Sequence, residues 1–175
     1  PPCVEAGPDR TLALGETTPI TYRSAMGADL MRGLKRKNFW IMEQSAGPHG
    51  WGSFGRNPRP GEIRKISYQQ LAHGADGQIW FRWRSCTAGR EQYWHGILGH
   101  DGRPLRRYRE AVQVAREYHK LAGVLKGTTV KAKVAMILDY ESQWAIRIQP
   151  ANKDNMFQAD LVKYYGALLR AGVQT

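Results

Sequence analysis

The run Phe39-Trp40-Ile41-Met42 leads directly into a carboxylate, Glu43, followed by Gln44. The thirteen residues after it, 45–57, contain four Gly, one Pro and one Trp. A short apolar run bounded by turn-forming residues reads as a buried strand, expected here over 39–42. A carboxylate at the end of such a strand is costly to desolvate unless it is paired or used. At the C-terminal end of a strand in an α/β barrel, its usual use is catalysis. A plainer reading stays open on the pattern alone: a strand-end Glu that caps the next element or pairs with an arginine.

The elements around this run alternate. Met26, Leu30, Met31 and Leu34 fall at helical spacing over 25–35, with Ser24 placed as an N-cap. After the strand, 45–60 is a long loop carrying Trp51 and Phe54. A second helix is expected over 61–73, capped by Gly74. A second strand follows over 78–83, then another long loop, 86–104, which holds Glu91, Tyr93, Trp94 and His95. A third helix is expected over 105–123, with Val112, Ala115 and Leu121 inside. Helix, strand, loop, helix, strand is the order of βα units on a parallel sheet. Residues 123–129 read as a boundary, 130–138 as a strand, and 158–170 as an amphipathic helix ending near Gly172. Residues 1–24 read as loop.

The chain's 175 residues suffice for one domain with a real core. They fall short of the roughly 250 of a complete α/β barrel. The start on Pro1, with no initiator methionine, is that of a piece of a longer protein, and it carries no signal-peptide pattern. No segment approaches the roughly 20 apolar residues of a membrane span, so no membrane partner is expected. Cys3 and Cys86 are the only cysteines. They form neither a disulfide framework nor a metal-ligand spacing, and two free thiols suit a reducing, cytoplasmic compartment. No metal and no cofactor are expected.

The net charge of +11 raises the question of nucleic acid. The cations are scattered, and the densest clusters, 35–37 and 103–109, lie at the ends of expected helices. Cations at a helix C-terminus suit the macrodipole, which accounts for the first cluster. No nucleic-acid-binding signature is present. A basic, non-catalytic module for nucleic acid or another polyanion remains the alternative to an enzyme; its aromatics would stack bases.

Two carboxylates, Glu43 and Glu91, stand after expected strands, and Trp40, Trp51, Trp83, Tyr93 and Trp94 crowd the same segments. The chain has six Trp. Flat apolar rings beside carboxylates match the apolar faces of sugars, although Trp80 and Trp83 also suit a core. Retaining glycoside hydrolysis uses two carboxyl groups about 5 Å apart, one as nucleophile and one as acid. Glu43 suits the nucleophile. Glu91 and His95 suit hydrogen bonds to sugar hydroxyls.

Longer motifs then become legible. Phe39-Trp40-Ile41-Met42-Glu43-Gln44, Trp51, Asn57-Pro58-Arg59-Pro60-Gly61 and Ala72-His73-Gly74-Ala75-Asp76-Gly77 resemble glycoside hydrolase family 42, the bacterial β-galactosidases. Phe81-Arg82-Trp83-Arg84, Glu91-Gln92-Tyr93-Trp94-His95-Gly96, His100-Asp101-Gly102 and Asp139-Tyr140-Glu141-Ser142 extend the resemblance, which runs from about residue 28 onward. It implies that residues 1–124 are the C-terminal part of a (β/α)8 TIM barrel. It implies that residues 128–175 open a flavodoxin-like α/β domain used in trimer formation, so that the full-length protein is a homotrimer.

The resemblance further implies a retaining β-galactosidase that cleaves terminal β-D-galactose, with Glu43 as nucleophile and Trp51, Glu91 and His95 as galactose-binding residues. In some members the His stands three residues after the Glu; here Trp94 makes the gap four. The family's acid/base Glu belongs to an Asn-Glu pair, and no such pair occurs in this chain, so the acid lies outside it. The piece alone is therefore expected to be inactive, and its unpaired sheet edges should make it poorly stable.

Overall fold

A computed structural model describes residues 20–48, 55–94, 96–151 and 157–175. Seven elements follow in order: α1 (Ile20–Lys35), β1 (Phe39–Ser45), α2 (Glu62–Ala72), β2 (Ala75–Phe81), α3 (Arg106–Leu125), α4 (Tyr140–Ile148) and α5 (Phe157–Arg170). β1 and β2 pair in parallel. The fold is α/β, as the alternating pattern predicts.

The order β1-α2-β2-α3 is a βα repeat, and its helices pack on one another. Tyr118 of α3 donates to the Ser67 carbonyl of α2, and its ring meets Tyr68 edge-on at 5.9 Å. Arg64 closes the same seam on Glu117 at 2.8 Å. α2 starts after Gly61, whose φ of 81° is a left-handed conformation that only glycine adopts freely. Glu62, the first helical residue, accepts from the Arg59 amide in the preceding turn at 2.7 Å. Gly74 follows the last turn with φ 99°, where the sequence places it.

Several expectations need correction. α1 begins at Ile20, so Ser24 is not an N-cap; it lies inside the helix, and its hydroxyl accepts from Gln70 at 2.7 Å. The buried face of α1 is Ala25, Ala28, Asp29 and Arg32 rather than the Met26/Leu30/Leu34 stripe, and Leu34 is exposed. Small alanines let neighbouring helices approach, and the charged pair is buried because its partners are too. In α3 the phase is likewise shifted: Ala111 and Val114 are buried, while Ala115 is exposed.

Residues 130–138 do not form a strand. A strand needs a neighbour for its amides, and neither β1 nor β2 pairs with this segment. It runs irregularly beside α1 instead, lining a groove with Met26, Leu30 and Leu34. α4, a stretch for which the sequence pattern assigns no helix, is nucleated by Asp139, whose carboxylate accepts from the Ser142 amide at 2.8 Å.

A buried polar cluster ties the last helix to the first. Asp29 accepts from Arg32 Nη1 at 2.6 Å, meets His73 Nδ1 at 2.9 Å, and accepts from the Tyr165 hydroxyl. Arg32 also donates to the His73 carbonyl at 3.0 Å. Burial, and then the bond to Asp29, push the Tyr165 phenol well above its ordinary range. Beside this cluster Gly166 allows the Tyr22 ring to lie on α5; a Cβ there would sit 2.7 Å from the ring.

Candidate active site

Parallel pairing brings the C-terminal ends of β1 and β2 to one side of the sheet. Glu43 is near that end of β1, and Glu91 lies in the loop that leaves β2. The register is not regular. Ile41 pairs with Gln78 and Gln44 with Trp80, so three steps on β1 face two on β2. The extra residue is a β-bulge at Met42 and Glu43, a device that re-aims side chains near functional sites.

Burial follows the bulge. In a regular strand residues 41 and 43 share a face. Here Ile41 and Gln44, three residues apart, are the buried pair, and Glu43 is only half-buried. A carboxylate placed this way keeps access to solvent while standing on a rigid strand.

The loop after β2 is folded back on the segment 82–85 that leaves the strand. Ile97 and Leu98 donate from their amides to the carbonyls of Arg82 and Trp83, at 2.8 and 2.9 Å. Leu98 returns its carbonyl to the Ser85 amide at 3.1 Å. Gly96 lies so close that a Cβ would sit 2.2 Å from the Arg82 carbonyl oxygen. Within this clamp Arg82 pairs with the Glu91 carboxylate and donates to Cys86 Sγ. Among the described residues Cys86 is a free cysteine, and Cys3 lies outside them.

The expected site residues divide. Glu43 and Glu91 are brought to the same end of the sheet. Trp51 and His95 lie outside the described residues. Trp94 is buried, 6% exposed, edge-on to Phe81 at 6.0 Å; it packs beneath the loop. Trp83, assigned to a core, is 63% exposed and meets Tyr108 edge-on. Trp40 is near the opposite end of β1 from Ser45, with its ring over Gly77. Arg82 was missed. In sequence it falls inside the expected strand 78–83; only the end of β2 at Phe81 and the fold of the loop set it against Glu91.

The second basic cluster is largely engaged within the chain. Arg103 pairs with Asp101 at 2.7 Å, Arg106 with Glu110 at 3.2 Å, and Arg107 reaches the Asn57 side chain at 3.3 Å. Among the described residues no cluster of His, Cys, Asp and Glu has metal-binding geometry. No described helix is long and apolar enough to cross a membrane.

A family model for β-galactosidases of glycoside hydrolase family 42 matches residues 13–121. This chain belongs to that family. A second model, the β-galactosidase trimerisation domain, matches residues 132–175. The chain is 43% identical to a β-galactosidase of Haloferax lucentense over 150 residues, which is 86% of this chain and 22% of that protein. It is 38% identical to one from Clostridium cellulovorans, over 88% of this chain and 24% of the relative. The β-galactosidase structure from Halorubrum lacusprofundi superposes with a TM-score of 0.81 at 34% identity, covering 91% of this chain and 24% of that one. The family 42 chain described here thus spans about a quarter of the length of its relatives.

Proposed function

We propose that this family 42 chain is the segment of a retaining β-galactosidase that carries the nucleophile, Glu43. The observation that carries the reading is the bulge: it holds a half-buried carboxylate at the C-terminal end of a parallel strand, beside the loop that bears Glu91. Residues 1–124 then complete a catalytic (β/α)8 barrel. Residues 128–175 open a flavodoxin-like domain, through which the full-length protein forms a homotrimer.

In the proposed reaction a Glu43 oxygen attacks the anomeric carbon of a terminal β-D-galactose. The glycosidic bond breaks, and the departing oxygen takes a proton from an acid supplied elsewhere in the protein. A galactosyl ester on Glu43 results. Water, relieved of a proton by the same group, then attacks that carbon and frees Glu43. Glu91 accepts hydrogen bonds from galactose hydroxyls, and Trp51 and His95 complete the sugar's surroundings.

The test is the intact mass of the full-length protein after exposure to a 2-deoxy-2-fluorogalactoside with a dinitrophenyl leaving group. That leaving group needs no proton, so the acid does not limit the first step. A stoichiometric adduct mapped to Glu43 is expected. A folded, active protein that takes the label on another carboxylate would overturn the assignment.

A further inference from the structure

We propose that Arg82 is the positioning residue for Glu91: it fixes the carboxylate that receives the galactose hydroxyls, and so sets substrate affinity. The proposal rests on the galactosidase reading above and deepens it.

Arg82 is the residue immediately after β2, so its backbone is anchored on the sheet. Its carbonyl holds the returning loop through the Ile97 amide at 2.8 Å. Its guanidinium lies 4.5 Å above the Phe81 ring, which fixes the plane of the fork. One prong, Nη2, reaches Glu91 Oε2, and the other, Nη1, reaches Cys86 Sγ. The guanidinium is therefore held from three sides before any ligand arrives.

Glu91 sits in a turn and would otherwise sample several rotamers. Its side chain is 42% exposed, against 20% for Arg82. The arginine is thus the inner partner and the carboxylate the outer one. The contact uses Oε2, and on a carboxylate held by one oxygen the other, Oε1, can accept from a hydroxyl. A carboxylate oriented in advance binds a hydroxyl with less entropy to lose. Lysine cannot replace this arrangement, because it has no planar fork to stack on Phe81 and bridge two partners at once.

The experiment is a double-mutant cycle on the full-length protein, using a nitrophenyl β-galactoside and reading KM and kcat separately. Arg82→Met should raise KM roughly 10- to 100-fold, the range expected for losing a hydrogen bond to a charged group. The fall in kcat should be smaller. Because Arg82 acts through Glu91, Arg82→Met placed on Glu91→Ala should raise KM by no more than about 2-fold further. Arg82→Lys should recover only part of the loss. If thermal melting shows that Arg82→Met does not fold, Arg82→Lys takes its place in the cycle under the same criterion.

An unchanged KM, or KM effects that multiply across the cycle, would overturn the proposal while leaving the galactosidase reading intact. A wild-type protein that neither cleaves the galactoside nor takes the label on Glu43 would bring down both together.

Discussion

The Tyr165 hydroxyl donates to the Asp29 carboxylate across 136 positions of sequence, and both residues are almost fully buried. The bond joins α5 to α1, and therefore the stretch that matches the trimerisation model to the stretch that matches the β-galactosidase model. Replacing Tyr165 by Phe removes one donor from a buried carboxylate that keeps Arg32 and His73. The expected loss of unfolding free energy is about 1–2 kcal/mol. Asp29→Ala leaves the Arg32 guanidinium buried without its counter-charge, and about 3–5 kcal/mol is expected. Urea unfolding of the full-length protein measures both.

Glu117 predicts a pH effect of definite sign. Its hydrogen bond from Arg64, helped by Gln113 and Tyr68, holds its carboxyl down at about 2, against an ordinary 4.5. A depressed carboxylate contributes stability that is complete above the unfolded-state value and is lost as pH falls through the folded one. Glu117→Gln should therefore be less stable than wild type at neutral pH. The gap should close as pH drops from 4.5 toward 2. Denaturant midpoints across that interval are the readout; a gap that widens in acid would contradict it.

Gly96→Ala should disturb the loop rather than the sheet. The added methyl would meet the Arg82 carbonyl oxygen at 2.2 Å, and that atom is backbone with little room to move. Overpacking of this kind costs about 1–3 kcal/mol. Amide exchange at Ile97 and Leu98 should speed up while the amides of α2 stay protected.

Asp139→Ala should fray α4 locally. The carboxylate is the acceptor for the first turn, through the Ser142 amide. Loss of an N-cap costs about 1 kcal/mol. Faster exchange at residues 142 and 143, with the α1–α2 region unaffected, is the expected pattern.

Periodicity and punctuation carried most of the architecture. Gly74 marked the end of α2, and the β-α-β alternation predicted parallel pairing because a crossover helix leaves little else. Where structure and sequence pattern differ, the missing information is tertiary. Asp29, Arg32 and His73 look like surface residues until Tyr165, far along the chain, supplies the partner that makes their burial tolerable. Residues 130–138 have the composition of a strand, but composition does not provide an adjacent strand. Of the site, Glu43 was legible as a carboxylate closing an apolar run. Its bulge was not, because register belongs to two strands at once. Arg82 was hidden for a similar reason: an arginine after a strand is common, and only the folded loop sets it against Glu91.

The irregular path of residues 130–138 also separates two kinds of continuity. Lys131 and Lys133 are exposed there in backbone outside any helix or strand, the form of chain that proteases cut most readily. A single tryptic nick at either lysine would divide the polypeptide close to the boundary between the two family matches. Tyr22 and Asp29 precede that cut in sequence and Tyr165 and Gly166 follow it, so the Asp29–Tyr165 bond and the Gly166–Tyr22 packing join its two products in space. Nicked protein should therefore migrate as two bands on a denaturing gel and elute as one particle from a sizing column.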